Sequence, residues 1–360
     1  ARASGELAAC NVHVAPGLGN AIGALYTAYV TGSPVLITAG QQEQGHGLTE
    51  PLLYAPLVPI AEPVVKWAVE VNRIEDLPRI VHRAAKIALT PPTGPVFISL
   101  PGDSLNMEAP LELGAPTRVD TTSRPSRAVT ERLARRILDA KNPAIIAGHE
   151  IVGSDALDEA GALADVLGAP VYQQTVQDGA HFRSEHPNYL GGLTRSQPLV
   201  RKALDEYDLL ICVGSDVLRM SVYSEVDPLP PQTDVIQIGL RDWELGKNYP
   251  AAMAVKADVK ETLSDLVPEL ERQGGDQLSR VARDRSAALA PRNWSSQRET
   301  LRAQATARRD AVPMAPDWLM MALVDHLPED AIVVDEGITT AQTLLNFFPI
   351  AHRYDYFGNV

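Results

Sequence analysis

Two cysteines in 360 residues leave no room for a disulfide framework. Cys10 and Cys212 each stand inside an apolar run, and each reads as a small buried hydrophobe. No stretch approaches the roughly 20 apolar residues of a membrane span, and no signal peptide is visible. Basic residues are short as well: 32 Lys and Arg face 45 Asp and Glu, for a formal net charge of −13. That balance excludes a clustered basic face for nucleic acid and gives an anionic membrane surface nothing to attract. The chain is expected to be cytoplasmic, with no nucleic-acid partner and no membrane partner. It also lacks a fixed-period repeat, a low-complexity tract and any G-x-G-x-x-G after a strand, so no dinucleotide fingerprint is assigned.

What is present is alternation of strand and helix. Asn11-Val-His13-Val-Ala-Pro-Gly17-Leu-Gly19-Asn20 is the most informative stretch. A short apolar run ends at a histidine, and a glycine turn then opens a helical run from Ala21 to Tyr29. This pattern predicts a buried parallel strand followed by a helix, with His13 at the carboxyl end of the strand. Ligands bind at that edge in open α/β sheets. A histidine there titrates near neutrality and can move protons; it could equally cap the strand by bonding backbone. Gly17, Gly19 and Asn20 could shape a loop beside a ligand, or form an ordinary turn and helix cap.

Further strands are predicted at Val35 to Ala39 and Val96 to Leu100, with an extended segment from Val64 to Val71. Ile74 to Leu89 carries Leu77, Ile80, Val81, Ala84, Ala85 and Ala88 near a 3.6-residue period, the mark of an amphipathic helix. Residues 104–126 are rich in Pro, Thr, Ser and Arg without period and suit a linker. Beyond it, helices are predicted at Thr130 to Ala140, with Thr130 as cap, and at Asp155 to Leu167. Strands are predicted at Ala144 to Ala147, Ala169 to Tyr172, Asp208 to Val213 and Val235 to Ile238, ending at or near Gly148, Gly214 and Gly239. From about 271 to 312 the chain is polar and reads as a loosely packed connection with a helix from Ser295 to Ala311. Pro316 to Leu327 is a helix with Asp317 in its first turn, and Ala331 to Val334 a strand before Asp335-Glu336-Gly337. Strands alternating with helices predict an α/β fold of parallel-sheet domains.

The order of His13, Gly17, Gly19-Asn20, Pro34-Val-Leu-Ile-Thr-Ala-Gly40, Gln41-Gln42 and Glu50 resembles the pyrimidine-binding domain of thiamine-diphosphate-dependent enzymes. Val64-Val65-Lys66-Trp67, Gly94-Pro-Val-Phe-Ile-Ser-Leu-Pro101, His186-Pro187 and Gly191-Gly192 continue the likeness, which runs in order through the chain and is strongest toward the benzoylformate decarboxylase branch. The resemblance implies a partial pyrimidine-binding domain (1–103), a linker (104–126), a Rossmann-like middle domain (127–271), a connecting segment (272–312) and the start of a diphosphate-binding domain (313–360). It implies thiamine diphosphate and Mg²⁺ as cofactors, a small 2-keto acid as substrate, and a homo-oligomer, dimer or tetramer.

By the same resemblance His13 is the proton-shuttling group, and Gly17, Gly19, Asn20 and Gln41 lie beside the cofactor. Glu336, Gly337, Thr339 and Thr340 form the first diphosphate-contacting turn; the same residues would serve as a helix cap. Ser221 stands where the benzoylformate branch places a second histidine, a departure that touches the substrate assignment. His46 and Glu50 could pair on a metal but lack a third ligand, and no metal ligand is assigned. His149, His181 and His186 read as surface or structural.

The family's activating glutamate would lie before residue 1, and its metal-binding G-D-G beyond Val360; no G-D-G occurs. Both ends look cut within folded domains, so the chain as given is expected not to turn over substrate. Three functions stay open: decarboxylation of a benzoylformate-like 2-keto acid, carboligation of the acetolactate-synthase type, and a non-catalytic binding module.

Overall fold

The apolar run before His13 forms strand β1 (Ala8–His13), and helix α1 (Val14–Val30) starts at the very next residue. The structure is a computed structural model that describes residues 1–358; Asn359 and Val360, part of the last expected segment, lie outside the described residues. The predicted glycine turn is absent. Val14, at φ 41°, reverses the chain by itself, and Pro16 falls in the first turn of α1, where a missing N–H costs nothing. Gly17, Gly19 and Asn20 are helical residues.

Residues 1–121 form one unit and the chain from Thr122 another. In the first, β2 (Val35–Gln41), α2 (Leu57–Ala61), β3 (Ala68–Glu70), α3 (Leu77–Leu89), β4 (Val96–Pro101) and α4 (Gly102–Asn106) come after α1. All neighbouring strands are parallel, in the order β1-β2-β4-β3. Of the predicted extended segment, Val64 ends a 3-10 turn (Glu62–Val64) and only the three residues of β3 form a strand. The periodic face of α3 behaves as predicted, burying Ala84 and Ala88 with Val96 and Ile98 of β4. Strand β1, however, is an edge strand with Ala9, Cys10 and Asn11 exposed. The predictions of a buried strand and a buried Cys10 are thus corrected: β1 has a partner on one side only, so its apolar composition does not translate into burial.

The second unit centres on a six-stranded, fully parallel sheet. Its elements are α5 (Arg127–Leu138), β5 (Pro143–Ala147), α6 (His149–Gly153), α7 (Leu157–Leu167), β6 (Val171–Gln173), β7 (Tyr189–Gly192), α8 (Gln197–Leu204), β8 (Leu209–Val213), β9 (Asp234–Gly239), β10 (Met253–Lys256) and α9 (Val259–Leu289). The strand order is β10-β9-β8-β5-β6-β7, so the winding reverses between β5 and β8. Every residue of β5 and β8 is buried, as central parallel strands require. Leu133, Leu163 and Leu266 from α5, α7 and α9 cover one face, and Val200 and Leu204 from α8 the other. Each such fully buried side chain contributes about 1.5–3 kcal/mol.

Helix α5 begins three residues before the predicted cap. Thr130 is buried inside it, its hydroxyl turned back on the Ser126 carbonyl. Helix α9 is opened by Asp258, whose side chain accepts the Glu261 amide at 3.0 Å. The polar segment predicted to pack loosely instead continues α9 and forms α10 (Trp294–Ala307), with Leu278, Ala282, Trp294 and Ala305 buried. A sparse apolar stripe suffices, because long charged side chains cover the outer face. The chain then forms α11 (Pro316–Asp325) and a parallel pair, β11 (Val333–Asp335) and β12 (Tyr356–Gly358). No helix among the described residues is long and apolar enough to cross a membrane.

Candidate functional site

In the first unit, candidate residues gather at the carboxyl ends of the strands. His13 is the last residue of β1, exposed, and in register with Gly40 of β2, itself opposite Leu100 of β4. The position is held by strain next door: a β-branched Val14 with positive φ costs about 1–3 kcal/mol and persists only where surroundings impose it. Gly17 permits that packing. A Cβ there would lie 3.3 Å from the carbonyl carbon and Cβ of Val12 and 3.7 Å from the His13 Cβ, so α1 presses back on its own strand. Gly19 faces open space and Asn20 is exposed.

Gln41 is buried and committed to the protein. Its Nε2 donates to the Ala55 carbonyl at 2.8 Å, and its Oε1 accepts the Gln42 amide at 2.8 Å. Gln42 Nε2 donates to the Leu52 carbonyl at 2.8 Å, so both glutamines tie residues 52–55 to the end of β2. His46 Nδ1 lies 3.3 Å from the Thr49 hydroxyl, and Glu50 has φ 47°. Among the described residues, no group of three His, Cys, Asp or Glu is placed to hold a metal ion.

In the second unit, Asp335 at the end of β11 organises the predicted diphosphate turn. Its Oδ1 accepts the Gly337 amide at 2.7 Å and its Oδ2 the Tyr356 hydroxyl at 2.9 Å. A Cβ on Gly337 would sit 2.3 Å from that of Ala341, so the turn is closed by glycine. Glu336 and Thr339 are exposed and Thr340 half-buried. The turn leads into a short 3-10 run, Thr340–Asn346, rather than the predicted α-helix start. Any grip on an anion therefore rests on the threonine hydroxyls more than on a helix dipole. Ser221 is exposed, two residues beyond Arg219, whose carbonyl accepts the Thr175 hydroxyl at 2.6 Å.

A third group enters the sequence expectations only as strand-end glycines and as His149 and His181, read there as surface or structural. Where the winding reverses, β5 and β8 run into Gly148 and Gly214, and β9 beside β8 ends at Gly239; His149, Ser215 and, after Leu240, Arg241 come next. A Cβ on Gly148 would lie 2.2 Å from the Ser215 Cα, and one on Gly214 only 2.5 Å from the Glu150 Cβ, so only glycines let these three turns meet. Glu150 reaches across: Oε2 accepts the Leu240 amide at 2.6 Å and Oε1 the Arg241 amide at 3.3 Å. Burial pushes its carboxyl pKa up, opposed by those amides and by the Arg241 guanidinium.

Beside it, Arg219 is braced between Asp216 at 3.2 Å and Glu244 at 3.4 Å. His181, wholly buried, lies 3.1 Å from Asp178. Burial, reinforced by Arg241, lowers the His149 pKa to about 3, so that ring is neutral at pH 7. The signal in the sequence is three strand ends that each close on a glycine near polar residues.

Two family descriptions match the chain. "Thiamine pyrophosphate enzyme, N-terminal TPP binding domain" covers residues 1–51, and "Thiamine pyrophosphate enzyme, central domain" covers residues 130–266. Benzoylformate decarboxylase of Pseudomonas aeruginosa is 30% identical over 343 residues, 94% of this chain and 61% of the relative. An acetolactate synthase large subunit of Corynebacterium glutamicum is 25% identical over 342 residues, 92% of this chain and 52% of the relative. The crystal structure of benzoylformate decarboxylase from Polynucleobacter necessarius superposes with a TM-score of 0.85 at 26% identity, over 99% of this chain and 64% of that one. The chain thus spans between half and two thirds of the length of these proteins. Parallel sheets in this order, and the two family matches along the same residues, place the chain in the thiamine pyrophosphate enzyme family.

Proposed function

We propose that this chain is part of a thiamine-diphosphate-dependent enzyme that decarboxylates a benzoylformate-like 2-keto acid to an aldehyde and CO₂. The observation that carries the reading is His13, exposed at the carboxyl edge of a parallel sheet, within the stretch matched by the N-terminal TPP-binding family. Similarity to benzoylformate decarboxylase along 94% of the chain supports the substrate class.

In this reading His13 delivers and removes the proton that accompanies product formation. Gly17 keeps α1 close enough to hold the ring at the strand end, and Gly19, Asn20 and Gln41 border the cofactor. Thr339 and Thr340 offer hydroxyls to the diphosphate across the turn that Gly337 closes; Glu336 flanks them. These residues fit such a group, because the turn is tight, glycine-closed and open to solvent on its threonine side. Thiamine diphosphate, when bound, supplies the electron sink for loss of CO₂. Mg²⁺ would be held by residues outside this chain, and a homodimer or homotetramer would form the enzyme.

Ser221 favours a second reading. A hydroxyl in place of a second histidine provides weaker proton transfer at that loop, which suits carboligation of the acetolactate-synthase type, and a synthase of that type is also among the relatives. Product analysis with benzoylformate and with pyruvate decides: aldehyde supports decarboxylation, an acyloin supports carboligation. Absence of both from the holoenzyme overturns the proposal.

A further inference from the structure

The turn at Gly337 depends on a carboxylate, and that carboxylate depends on a phenol one strand away. Asp335 ends β11 half-buried; its Oδ1 accepts the Gly337 amide at 2.7 Å, which shapes the turn, and its Oδ2 accepts the Tyr356 hydroxyl at 2.9 Å. The phenol is locked in place. Its residue is 4% exposed and packs in one apolar cluster with Leu344, Phe347 and Phe348. Strand β12 lies parallel to β11 with Gly358 opposite Asp335, and a Cβ on Gly358 would stand 3.0 Å from the Tyr356 hydroxyl oxygen, so glycine there leaves the hydroxyl its room. The strand is anchored in turn to the loop after β6. The Gly358 amide donates to the Asp178 carbonyl at 2.9 Å, and Phe357 forms an antiparallel bridge with Gly179.

A carboxylate within an anion-binding turn repels the anion, and an unengaged carboxylate oxygen competes for the same donors. Here each oxygen of Asp335 is engaged, one by the backbone amide and one by the phenol. We infer that Tyr356 is a positioning residue whose hydroxyl pins the Asp335 carboxylate, and through it the Gly337 turn, in the form that accepts a diphosphate. The identity of the anion rests on the thiamine reading; the pinning rests on the geometry of β11 and β12.

Tyr356→Phe tests it, because the change keeps the ring and its packing and removes only the hydroxyl. Calorimetric titration of the full-length protein with thiamine diphosphate and Mg²⁺ should show binding weakened about tenfold, with kcat at saturating cofactor changed less than about threefold. Exchange of the Gly337 amide in the cofactor-free protein should quicken at least about fivefold. On an Asp335→Ala background, Tyr356→Phe should weaken binding no further, since the hydroxyl acts through that carboxylate. Unchanged affinity in Tyr356→Phe overturns the inference, and so does an equal further loss on the Asp335→Ala background. A wild type that binds no thiamine diphosphate up to about 1 mM overturns the thiamine reading instead. Gly337 exchange, which needs no cofactor, then decides on the pinning: quickening in Tyr356→Phe supports it and unchanged exchange overturns it. Should Tyr356→Phe not fold, the same exchange is read in Asp335→Ala, with the same two outcomes.

Discussion

The two larger parallel sheets, one in each unit, have contrasting carboxyl edges. In the first unit the edge is open: β1 has one neighbour, His13 is exposed at its end, and Cys10 faces solvent on the same strand. In the second the central strands β5 and β8 are wholly buried, and at the edge Glu150 is tied to the Leu240 amide, His181 to Asp178 and the braced Arg219 to Asp216. Both edges obey one topological rule, yet the first leaves its strand-end histidine exposed while the second ties Glu150 to two backbone amides. A parallel sheet makes a crevice; the side chains that fill it decide whether the crevice works.

The largest expected effect breaks this contrast at its open side. Replacing His13 with Ala should lower kcat of the holoenzyme by about 100-fold or more, the usual worth of a positioned proton-transfer group. The affinity for thiamine diphosphate should change less than threefold, since the ring is not assigned to cofactor binding. Steady-state kinetics alongside a cofactor titration separates the two; near-native turnover would remove His13 from the chemistry.

The two cysteines provide the next test, because one residue type samples both environments. Cys212 lies buried within β8, and burial pushes its thiol up to about 12. Cys212→Ser forces a hydroxyl into that apolar strand and should cost about 1–3 kcal/mol in urea unfolding. An aromatic disulfide reagent at pH 8 should titrate one thiol in the folded protein and two in denaturant. Two fast thiols in the native state would mean that the second sheet opens to solvent.

The second edge also has a pH signature. His149 has a folded pKa of about 3 against an ordinary value of 6.5, so between those values the unfolded chain binds a proton that the folded chain refuses. Stability should therefore fall as pH drops below about 6.5, with a slope of up to about 1.4 kcal/mol per pH unit from this group. His149→Gln should flatten the slope in that window. An unchanged slope in the variant would show that His149 charges freely and that the edge admits water.

Much of this is legible in the sequence. Strand-helix alternation, the buried runs of β5 and β8 and the apolar face of α3 follow from period and composition, and they yield parallel α/β units. What escapes depends on tertiary packing. The junction at Val14 needs no glycine turn because packing forces a β-branched residue into left-handed backbone, against its local preference. Apolar content does not reveal how many neighbours a strand has, so β1 reads as buried although it lies at an edge. The Glu150 clasp joins residues about 90 apart in sequence, and no local pattern announces such a bond. His13 stands out because one motif holds both the strand end and the residue; the second edge does not, because it is assembled from three.

The smallest effect is expected at Cys10, and it sharpens the comparison by being nearly null. The residue is exposed, and its thiol donates to the neighbouring Asn11 carbonyl at 4.0 Å, so Cys10→Ser buries no hydroxyl. Stability should change by less than about 0.5 kcal/mol, the range of ordinary surface substitutions. The same chemical change, one sulfur for one oxygen, thus costs several-fold more at Cys212 than at Cys10. If Cys10→Ser instead costs more than about 1 kcal/mol, beyond that surface range, then β1 is covered in solution by another strand or another chain, and the open edge beside His13 is an interface. Sedimentation of the wild type and of Cys10→Ser would then show whether the cost is one of folding or of assembly.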